Sequence, residues 1–287
     1  MTDSVAMING EFIDVNEPVI GMEDRGYQFG DGVYEVTHVY NGRCFAIEWH
    51  IERLFRSLRE LSIPGIYMPE EIVKFHQEIL EKSGFQEGAI YMQITRGTAP
   101  RTHAFPKLVA PCLTMTMRPG NRAQNAAQQE QGVKVITQPD IRWMRCDIKS
   151  LNLLGNVLSK QKAKEAGVFE AVLVRDDGTV TEGSSSNFYV VKDDVLWTHP
   201  VDNMILNGVT RRILMEKIVP KLGIQVVEKN FNLDFVKTAS EAFLTGTSTE
   251  VMPVIKINRD VVGKGEPGEM TRKIQQAYQE LIKEVCY

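Results

Sequence analysis

Lys149 stands just ahead of an apolar stretch with helical character, in the run RCDIKSLNLLGN at residues 145–156. A lysine with apolar neighbours is partly desolvated, which favours the neutral amine and makes it a nucleophile for a carbonyl carbon. A lysine chosen without further information is more often a solvated surface residue. Lys149 is therefore a candidate nucleophile, and the residue alone does not identify a reaction.

An arginine and a histidine two positions apart, Arg101 and His103, occur in the run TRGTAPRTH at residues 95–103. On an extended segment, side chains two residues apart share a face, so this pair could bind one carboxylate, with a two-pronged hydrogen bond from the arginine. Without further information, a solvated proline-containing loop is the more common interpretation. The pair is thus a candidate carboxylate site.

Two runs rich in glycine and threonine could bind a phosphate group, namely NGVTR at residues 207–211 and TGTST at residues 245–249. Phosphate sites use main-chain N–H groups at a helix N-terminus together with hydroxyl groups, and often an arginine. Each run alone is a weak signal, because an ordinary turn has a similar composition.

The run TVTEGSSSNF at residues 179–188 contains Glu182, a candidate buried carboxylate. Taken alone, Glu182 is more consistent with a solvated hairpin end, because Asp176, Asp177 and Gly178 precede it and most glutamates are exposed. Its role therefore depends on the rest of the sequence.

Several common catalytic signatures are absent from the sequence. Gly30-Asp31-Gly32 begins like a dinucleotide-binding loop, but Glu35 stands where the third glycine would be. The run GSSSN at residues 183–187 lacks the closing glycine of a nucleophile elbow. No Walker A or HExxH motif occurs, and the five histidines are widely spaced, so we expect no catalytic metal.

Together, the runs resemble those of fold type IV enzymes that depend on pyridoxal 5′-phosphate (PLP). The run RCDIKSLNLLGNVL, which starts at Arg145, resembles the D-amino-acid aminotransferase branch in particular. RCDIKSLNLL and VTEGSSSN are specific, GDGVYE and GTST are weak singly, and all four occur in the expected order and at the expected separations. The likeness covers nearly the whole chain and is weakest around residues 121–131 and in the last twenty or so residues.

The resemblance implies that PLP is the cofactor and that Lys149 forms the internal aldimine with it. After the substrate displaces Lys149, the same amine moves the proton between the substrate α carbon and the cofactor C4′ atom. Glu182 is then the carboxylate that keeps the pyridine nitrogen protonated, which PLP needs in order to accept electrons.

The resemblance also assigns the remaining contacts. The substrate carboxylate is expected to be bound by Tyr34, Arg101 and His103. Gly246 departs from the serine or threonine expected at its position, which removes one hydroxyl group but leaves the main-chain donors. Contacts with the cofactor are expected from Arg53, Val209, Thr210, Thr247 and Ser248 at the phosphate and from Leu206 against the pyridine ring.

The implied reaction is a ping-pong transamination, in which a D-amino acid such as D-alanine gives its amino group to a 2-oxo acid such as 2-oxoglutarate. Two alternatives with the same fold stay open, an L-branched-chain aminotransferase and an enzyme resembling aminodeoxychorismate lyase. The branched-chain enzyme is expected to lack the pair Arg101/His103. A third alternative is a binding protein without catalysis, in which the motifs are only turns.

Two β-hairpins are predicted near the N-terminus, at Asn9-Gly10 and Asn41-Gly42, because both residues of each pair tolerate positive φ and apolar alternation flanks them. Apolar residues at helical spacing predict helices at 48–61, from Pro69 onwards, and at 151–166, 210–222 and 269–285. Further strands are predicted at 89–95, 112–117, 133–137, 170–175, 188–191 and 224–228.

The polar run RPGNRAQNAAQQEQG at residues 118–132 is the best candidate linker, although it could hold a short surface helix. We therefore predict a smaller N-terminal α/β domain at residues 1–120, a linker at 121–131 and a larger C-terminal domain at 132–287 that carries Lys149. The expected fold class is α+β, with the two lobes of a fold type IV PLP enzyme and the active site between the lobes.

The composition is that of an ordinary soluble globular protein of 287 residues, 43% hydrophobic and 24% charged, with a net charge of −4. Such mild acidity gives no electrostatic signature for nucleic acid or for an anionic membrane. Four scattered cysteines without a CxxC pair, and no signal-peptide pattern or apolar run of about 18 residues, favour the cytoplasm. The resemblance adds a homodimer, because family members usually form one.

Overall fold

The structure is a computed structural model, and it describes residues 4–120 and 122–287. Its chain forms two compact units. The first contains the described part of Met1–Asn121 together with Ile148–Asn152 and Val285–Tyr287, and the second contains Arg122–Asp147 and Leu153–Glu284. Each unit combines helices with a sheet, so the fold class is α+β.

The first unit is an antiparallel sheet covered by helices. Its elements are β1 (Val5–Ile8), β2 (Glu11–Ile13), α1 (Arg25–Phe29), β3 (Gly32–Tyr40), β4 (Arg43–Cys44), α2 (Ile47–Glu60), α3 (Pro69–Ser83), β5 (Gly88–Thr95) and β6 (Cys112–Pro119). The strand order is β2-β1-β6-β5-β3-β4. Helix α2 packs on β3, and α3 packs on α2 and β1. Buried Leu54 and Leu58 of α2 and Ile72 and Ile79 of α3 cover the sheet and keep water from it.

The second unit is a larger mixed sheet with helices. Its elements are α4 (Ala123–Gln131), β7 (Val133–Pro139), α5 (Leu154–Glu165), β8 (Glu170–Val174), β9 (Val180–Gly183), β10 (Asn187–Lys192), β11 (Val195–Thr198), α6 (Val209–Ile213), a π-helical turn (Leu214–Ile218), α7 (Val219–Leu222), β12 (Val226–Glu228), α8 (Leu233–Lys237), β13 (Glu241–Gly246), β14 (Glu250–Ile257), β15 (Asp260–Val261) and α9 (Glu269–Cys286). The strand order is β12-β11-β10-β13-β14-β7-β8-β9, with β15 paired to β14. Its core contains Phe188, Val190, Leu244 and Met252.

Both predicted hairpins are confirmed. Asn9 and Gly10 have φ angles of 50° and 89°, and Asn41 and Gly42 have φ angles of 48° and 68°. The flanking strands pair as β1 with β2 and β3 with β4. Both positions of each turn therefore use the left-handed conformation, which asparagine and glycine adopt at lower cost than other residues.

The predicted helices at 48–61, from Pro69 and at 269–285 are confirmed as α2, α3 and α9. The helix predicted at 151–166 begins only at Leu154, because residues 149–151 pair with β3: Ser150 forms an antiparallel bridge with Val33, and the N–H of Leu151 donates to the Gly32 carbonyl (3.0 Å). The helix predicted at 210–222 contains a π-helical turn immediately before α7. Pro220 in α7 has no N–H group to donate four residues back, which disturbs the α-helical pattern there.

Two segments lie in a unit to which the predicted domain boundaries do not assign them. Residues 123–131 of the expected linker form α4, which belongs to the second unit, where Asn125 Nδ2 donates to the Ser248 carbonyl (2.8 Å). The segment Ile148–Asn152, which carries Lys149, belongs to the first unit. The division at 1–120, 121–131 and 132–287 otherwise stays a prediction.

We expect Leu54→Ala to lower the free energy of unfolding by about 3 kcal/mol, because Leu54 is completely buried in the core of the first unit. The matched control is Leu108→Ala, since Leu108 is 94% exposed, and its effect should stay within about 0.5 kcal/mol. Urea unfolding measures both values. Similar losses for the two variants would contradict this packing.

Candidate active site

Lys149 is held against strand β3 by main-chain hydrogen bonds. The N–H of Tyr34 donates to the Lys149 carbonyl (3.0 Å), and the N–H of Leu151 donates to the Gly32 carbonyl (3.0 Å). A Cβ atom at Gly32 would lie 2.7 Å from both the Ile94 carbonyl oxygen and Leu151 Cδ1, so only glycine permits this close approach. The sheet therefore fixes the position of the lysine.

The Lys149 side chain lies over an aromatic ring. Its Nζ atom is 4.0 Å from the ring centroid of Tyr34, and the Tyr34 ring stacks on Tyr91 with centroids 5.8 Å apart. The main-chain N–H of Lys149 donates to Ser57 Oγ of α2 (3.3 Å). The amine thus stands at the face of an electron-rich ring, and the residue is half-buried.

Helix α2 also contributes His50 and Arg53, and both bind the buried carboxylate of Glu35 on β3. Arg53 Nε and Nη2 donate to the two Glu35 oxygens at 2.7 and 2.8 Å. His50 Nδ1 lies 2.7 Å from Glu35 Oε2. Burial raises the pKa of Glu35, but the charge and hydrogen bonds of Arg53 outweigh it and bring the pKa to about 2. Glu35 is therefore anionic and holds Arg53 in one orientation.

His50 is a neutral partner in this cluster. Burial lowers its pKa, and the hydrogen bond with Glu35 opposes that shift only in part. Because an ionised carboxylate only accepts hydrogen bonds, Nδ1 of His50 must carry the proton. The cluster consequently contains one cation and one anion, with the imidazole as an added donor.

Arg101 and His103 both contact one aromatic ring in the first unit. The Arg101 guanidinium is 4.9 Å from the ring centroid of Phe29, and the imidazole of His103 is 5.7 Å from it. Both residues are exposed. The structure therefore brings the predicted pair together on a shared aromatic platform, and their contact with substrate stays a prediction.

In the second unit, the buried carboxylate of Glu182 accepts hydrogen bonds from three groups. Arg142 Nη1 lies 2.5 Å from Oε1, and Asn187 Nδ2 donates to Oε2 at 2.9 Å. The main-chain N–H of Leu206 lies 3.2 Å from both oxygens. These three donors make four contacts with the two carboxylate oxygens.

The electrostatic environment of Glu182 combines burial with a fixed cation. Burial raises the pKa of Glu182, and the charge of Arg142 opposes this shift. Arg142 is itself held by Asp140, whose Oδ1 and Oδ2 accept from Arg142 Nε (2.9 Å) and Nη2 (2.8 Å). A carboxylate with a raised proton affinity is well suited to share the proton of a cationic ring nitrogen.

The run at residues 207–211 forms a helix start beside Asn187. Gly208 is the N-cap of α6, and no side-chain capping bond satisfies the first N–H groups of the helix, which lack an intrahelical partner in any helix. A Cβ atom at Gly208 would lie 2.3 Å from Asn187 Oδ1, which requires glycine there. Val209 and Thr210 follow as buried residues of the first helical turn.

The run at residues 245–249 forms the turn between β13 and β14. Thr245 of β13 pairs with Asn187 of β10, and the Asn187 side chain binds Glu182. Thr247 is half-buried and Ser248 is exposed. A Cβ atom at Gly246 would have only ordinary contacts, the nearest 3.5 Å from the Ser185 carbonyl, so a serine or threonine would fit.

No group of three or more potential metal ligands of the His, Cys, Asp or Glu type occurs in the part of the chain that the structure describes. Among the same residues, no helix is long and apolar enough to cross a membrane.

A family model described as class IV amino-transferase matches residues 32–257. The chain belongs to the class IV aminotransferase family. Two of its similar relatives are D-alanine aminotransferases. The chain is 44% identical to that of Staphylococcus aureus strain COL over 277 residues, covering 96% of this chain and 97% of the relative. It is also 44% identical to that of Bacillus licheniformis over 276 residues, covering 96% of each.

Solved structures of branched-chain aminotransferases share the fold. The branched-chain aminotransferase of Thermoproteus uzoniensis with norvaline has a TM-score of 0.87 and 26% identity, covering 97% of this chain and 94% of that one. The Escherichia coli branched-chain enzyme has a TM-score of 0.91 and 24% identity, covering 96% and 94%. The expected fold type IV class is confirmed.

Four side chains of this class IV aminotransferase that surround the predicted residues were not themselves predicted, namely Glu35, His50, Arg142 and Asn187. A signal for His50 exists, because it precedes Arg53 by three residues on a predicted helix and therefore shares its face. Arg142 has no such signal, since its contact with Glu182 spans 40 residues and depends on the fold.

We expect Glu35→Gln to lower the free energy of unfolding by about 3 kcal/mol at pH 7, because it removes the buried anion that Arg53 pairs with. The pKa of Glu35 is about 2 in the folded chain and 4.5 ordinarily, so its contribution is complete above pH 4.5. It is lost as the pH falls from 4.5 towards 2.

Urea unfolding of wild type and variant at about pH 7, 5 and 3.5 measures this difference. The gap should be equal at the two higher values and smaller at the lowest. Exposed Glu81→Gln is the matched control and should show no gap at any of these values. A gap for Glu35→Gln that stays constant down to the lowest pH would refute the assigned ion pair.

Proposed function

We propose that this chain is a PLP-dependent aminotransferase that transfers the amino group of a D-amino acid, such as D-alanine, to a 2-oxo acid, such as 2-oxoglutarate. The products are D-glutamate and the 2-oxo acid that matches the donor. The observation that carries the proposal is the 44% identity to D-alanine aminotransferases over nearly the full length of both chains.

The residues present suit PLP by their chemistry. Lys149 offers an amine for the cofactor aldehyde, and Glu182 offers a buried carboxylate with a raised pKa, which suits a protonated pyridine nitrogen. Arg53 offers a guanidinium that Glu35 already orients. Lys149, Glu182 and Arg53 therefore suit the aldehyde, the ring nitrogen and the phosphate of PLP, respectively.

When bound, PLP withdraws electrons from the substrate nitrogen and so makes the proton on the substrate α carbon acidic. Lys149 is the covalent attachment point for the cofactor. With the cofactor and substrate bound, Lys149 Nζ would be the base for the proton on the substrate α carbon. Its main chain is fixed to Tyr34 and Ser57, so the amine works from a set position.

Glu182 holds the proton on the pyridine nitrogen. Its carboxylate is kept in one orientation by hydrogen bonds from Arg142, Asn187 and the N–H of Leu206. The Leu206 side chain would pack against the cofactor ring. Because the carboxylate is buried, its interaction with a ring cation is stronger than in water.

The N-terminus of α6 and the turn after β13 would hold the cofactor phosphate. Val209 and Thr210 supply main-chain N–H groups and a hydroxyl group, and Thr247 and Ser248 supply further donors. Arg53 adds the positive charge, and its two bonds to Glu35 reduce the entropy that binding would otherwise cost.

Tyr34, Arg101 and His103 bind the substrate α-carboxylate. Placing this group determines which face of the α carbon meets Lys149, and so determines the preference for D-amino acids. The support from the structure is that Arg101 and His103 share the Phe29 platform, and that the Tyr34 ring lies 4.0 Å from Lys149 Nζ.

The protein is further proposed to be a cytoplasmic homodimer. A dimer is supported by an exposed apolar surface on the second unit. It includes four residues that are each more than half exposed, namely Ile141, Met144, Leu154 and Leu158. Arg142 connects its two segments, because its Cγ would lie 3.0 Å from a Cβ at Gly155. Four free cysteines agree with a reducing compartment.

The main rival is an L-branched-chain aminotransferase, which the similarity to the solved Thermoproteus uzoniensis enzyme favours. That enzyme is 26% identical to this chain, against 44% for the D-alanine aminotransferases. The closer relationship therefore favours the D-amino-acid activity.

We expect D-alanine and 2-oxoglutarate to give pyruvate and D-glutamate when PLP is present. L-alanine and L-leucine should react at least about 100-fold more slowly, because their carboxylates would leave the α proton on the wrong face for Lys149. Chiral chromatography of the product measures this. A preference for L-leucine would establish the branched-chain alternative, and the absence of amino transfer from all three amino acids would favour the lyase.

We expect Lys149→Ala to lower the rate constant kcat by more than about 1,000-fold, since no other amine is placed at the α carbon. Lys164→Ala is the matched control, because Lys164 is an exposed residue of α5, and its kcat should be unchanged. Steady-state kinetics with D-alanine measures both. Equal rates for Lys149→Ala and wild type would remove Lys149 from the mechanism.

A further inference from the structure

We propose that Arg25 is a positioning residue that determines the affinity for the substrate carboxylate, because its guanidinium holds the loop at residues 101–105. This inference rests on the proposed function, since it concerns the loop that carries Arg101 and His103.

The Arg25 side chain reaches three consecutive carbonyl groups of the loop. Its Nη1 atom donates to the Thr102 carbonyl at 2.7 Å and lies 3.5 Å from that of Ala104. Its Nη2 atom lies 3.4 Å from the carbonyl of His103. Arg25 is only 3% exposed, so the donor side of these bonds is shielded from water.

The loop has little other support from the main chain. Within residues 4–120 and 122–287, no main-chain hydrogen bond between backbone groups involves residues 101–105. The loop belongs to no helix or strand, and all five of its residues are exposed. Side-chain contacts hold it instead. The Arg25 guanidinium bonds its carbonyl groups, Arg96 lies 3.6 Å from the ring centroid of Phe105, and Thr102 Oγ1 donates to the Ala104 carbonyl.

Arg25 is in turn fixed by Asp31. Its Nε atom donates to Asp31 Oδ2 at 2.8 Å, and Arg96 binds the same carboxylate through Nε (2.8 Å) and Nη2 (3.1 Å). Burial raises the pKa of Asp31, but the hydrogen bonds and charges of the two arginines outweigh it and lower the pKa. The charged carboxylate keeps the Arg25 fork aimed at the loop.

Helix α1 joins this support to the aromatic platform. Arg25 and Phe29 lie four residues apart on α1 and so share a face. The Arg25 guanidinium is 4.9 Å from the Phe29 ring centroid, as is that of Arg101, and His103 also contacts the ring. The same short helix therefore holds both the main chain of the loop and its two functional side chains.

Arginine suits this position better than lysine. Its planar guanidinium has five N–H donors, enough for Asp31 and for carbonyl groups on the loop together, whereas a lysine ammonium is a single point charge. Arg25→Lys would keep the pairing with Asp31 and lose part of the hold on the loop.

The first test compares Arg25→Lys, Arg101→Gln and the double variant with D-alanine as substrate. Arg25→Lys should raise KM about tenfold, the loss expected for one hydrogen bond with a charged donor, and leave kcat within about twofold. If Arg25 acts through Arg101, adding Arg25→Lys to Arg101→Gln should raise KM no further. Independent, multiplying effects, or a loss in kcat with KM unchanged, would overturn the proposal.

The matched control is Arg272→Lys in the second unit. Arg272 also uses its guanidinium to bind main-chain carbonyls, those of Gln129 and Glu130, far along the chain from the loop. Its substitution should leave KM unchanged. A KM increase equal to that of Arg25→Lys would show a general effect on stability and would overturn the proposal.

Trypsin cleavage after Arg101 tests the loop without using activity. Arg25→Lys should accelerate this cleavage at least about fivefold, because the released loop samples extended conformations more often. An unchanged cleavage rate would overturn the inference. If cleavage accelerates while Arg101→Gln leaves KM unchanged, the hold on the loop is upheld and the role assigned to Arg101 in the proposed function is overturned.

Discussion

The pairing of strand β3 with the segment around Lys149 is the constraint on which the site residues of the first unit depend. The Tyr34 N–H binds the Lys149 carbonyl, and Gly32 permits the approach because it has no side chain. Glu35, next along β3, orients Arg53 from α2. One strand therefore sets the positions of the amine, the tyrosine and the arginine together, and α2 follows from its packing on that strand.

A second constraint is the enclosure of Glu182 by donors from distant parts of the sequence. Arg142, Asn187 and Leu206 converge on it, and Asn187 also requires glycine at position 208 at the start of α6. Burying a charged carboxylate without such donors would cost much free energy of folding. The donors therefore allow Glu182 to be charged inside the protein. Asn187 contacts Gly208 at the start of α6 and pairs with Thr245 at the end of β13. It therefore brings the start of α6 near the turn after β13.

The sequence predicts those features that local chemistry determines. Asn-Gly turns, the apolar face of α2 and the start of α3 at Pro69 need only neighbours in the chain, and all are present. The predicted start of α5 is wrong, because Leu151 finds its partner at Gly32, more than 100 residues earlier. Likewise, Arg142 and Arg25 act through tertiary contacts that no local pattern reveals. The site residues come from family resemblance, and their roles stay predictions.

The central claim is that the ε-amine of Lys149 carries the cofactor. Reducing the protein with borohydride in the presence of PLP and mapping the modified peptide by mass spectrometry tests it most directly. We predict a single pyridoxyl adduct on the peptide that contains Lys149. An adduct on a different lysine, or no adduct, would contradict the account.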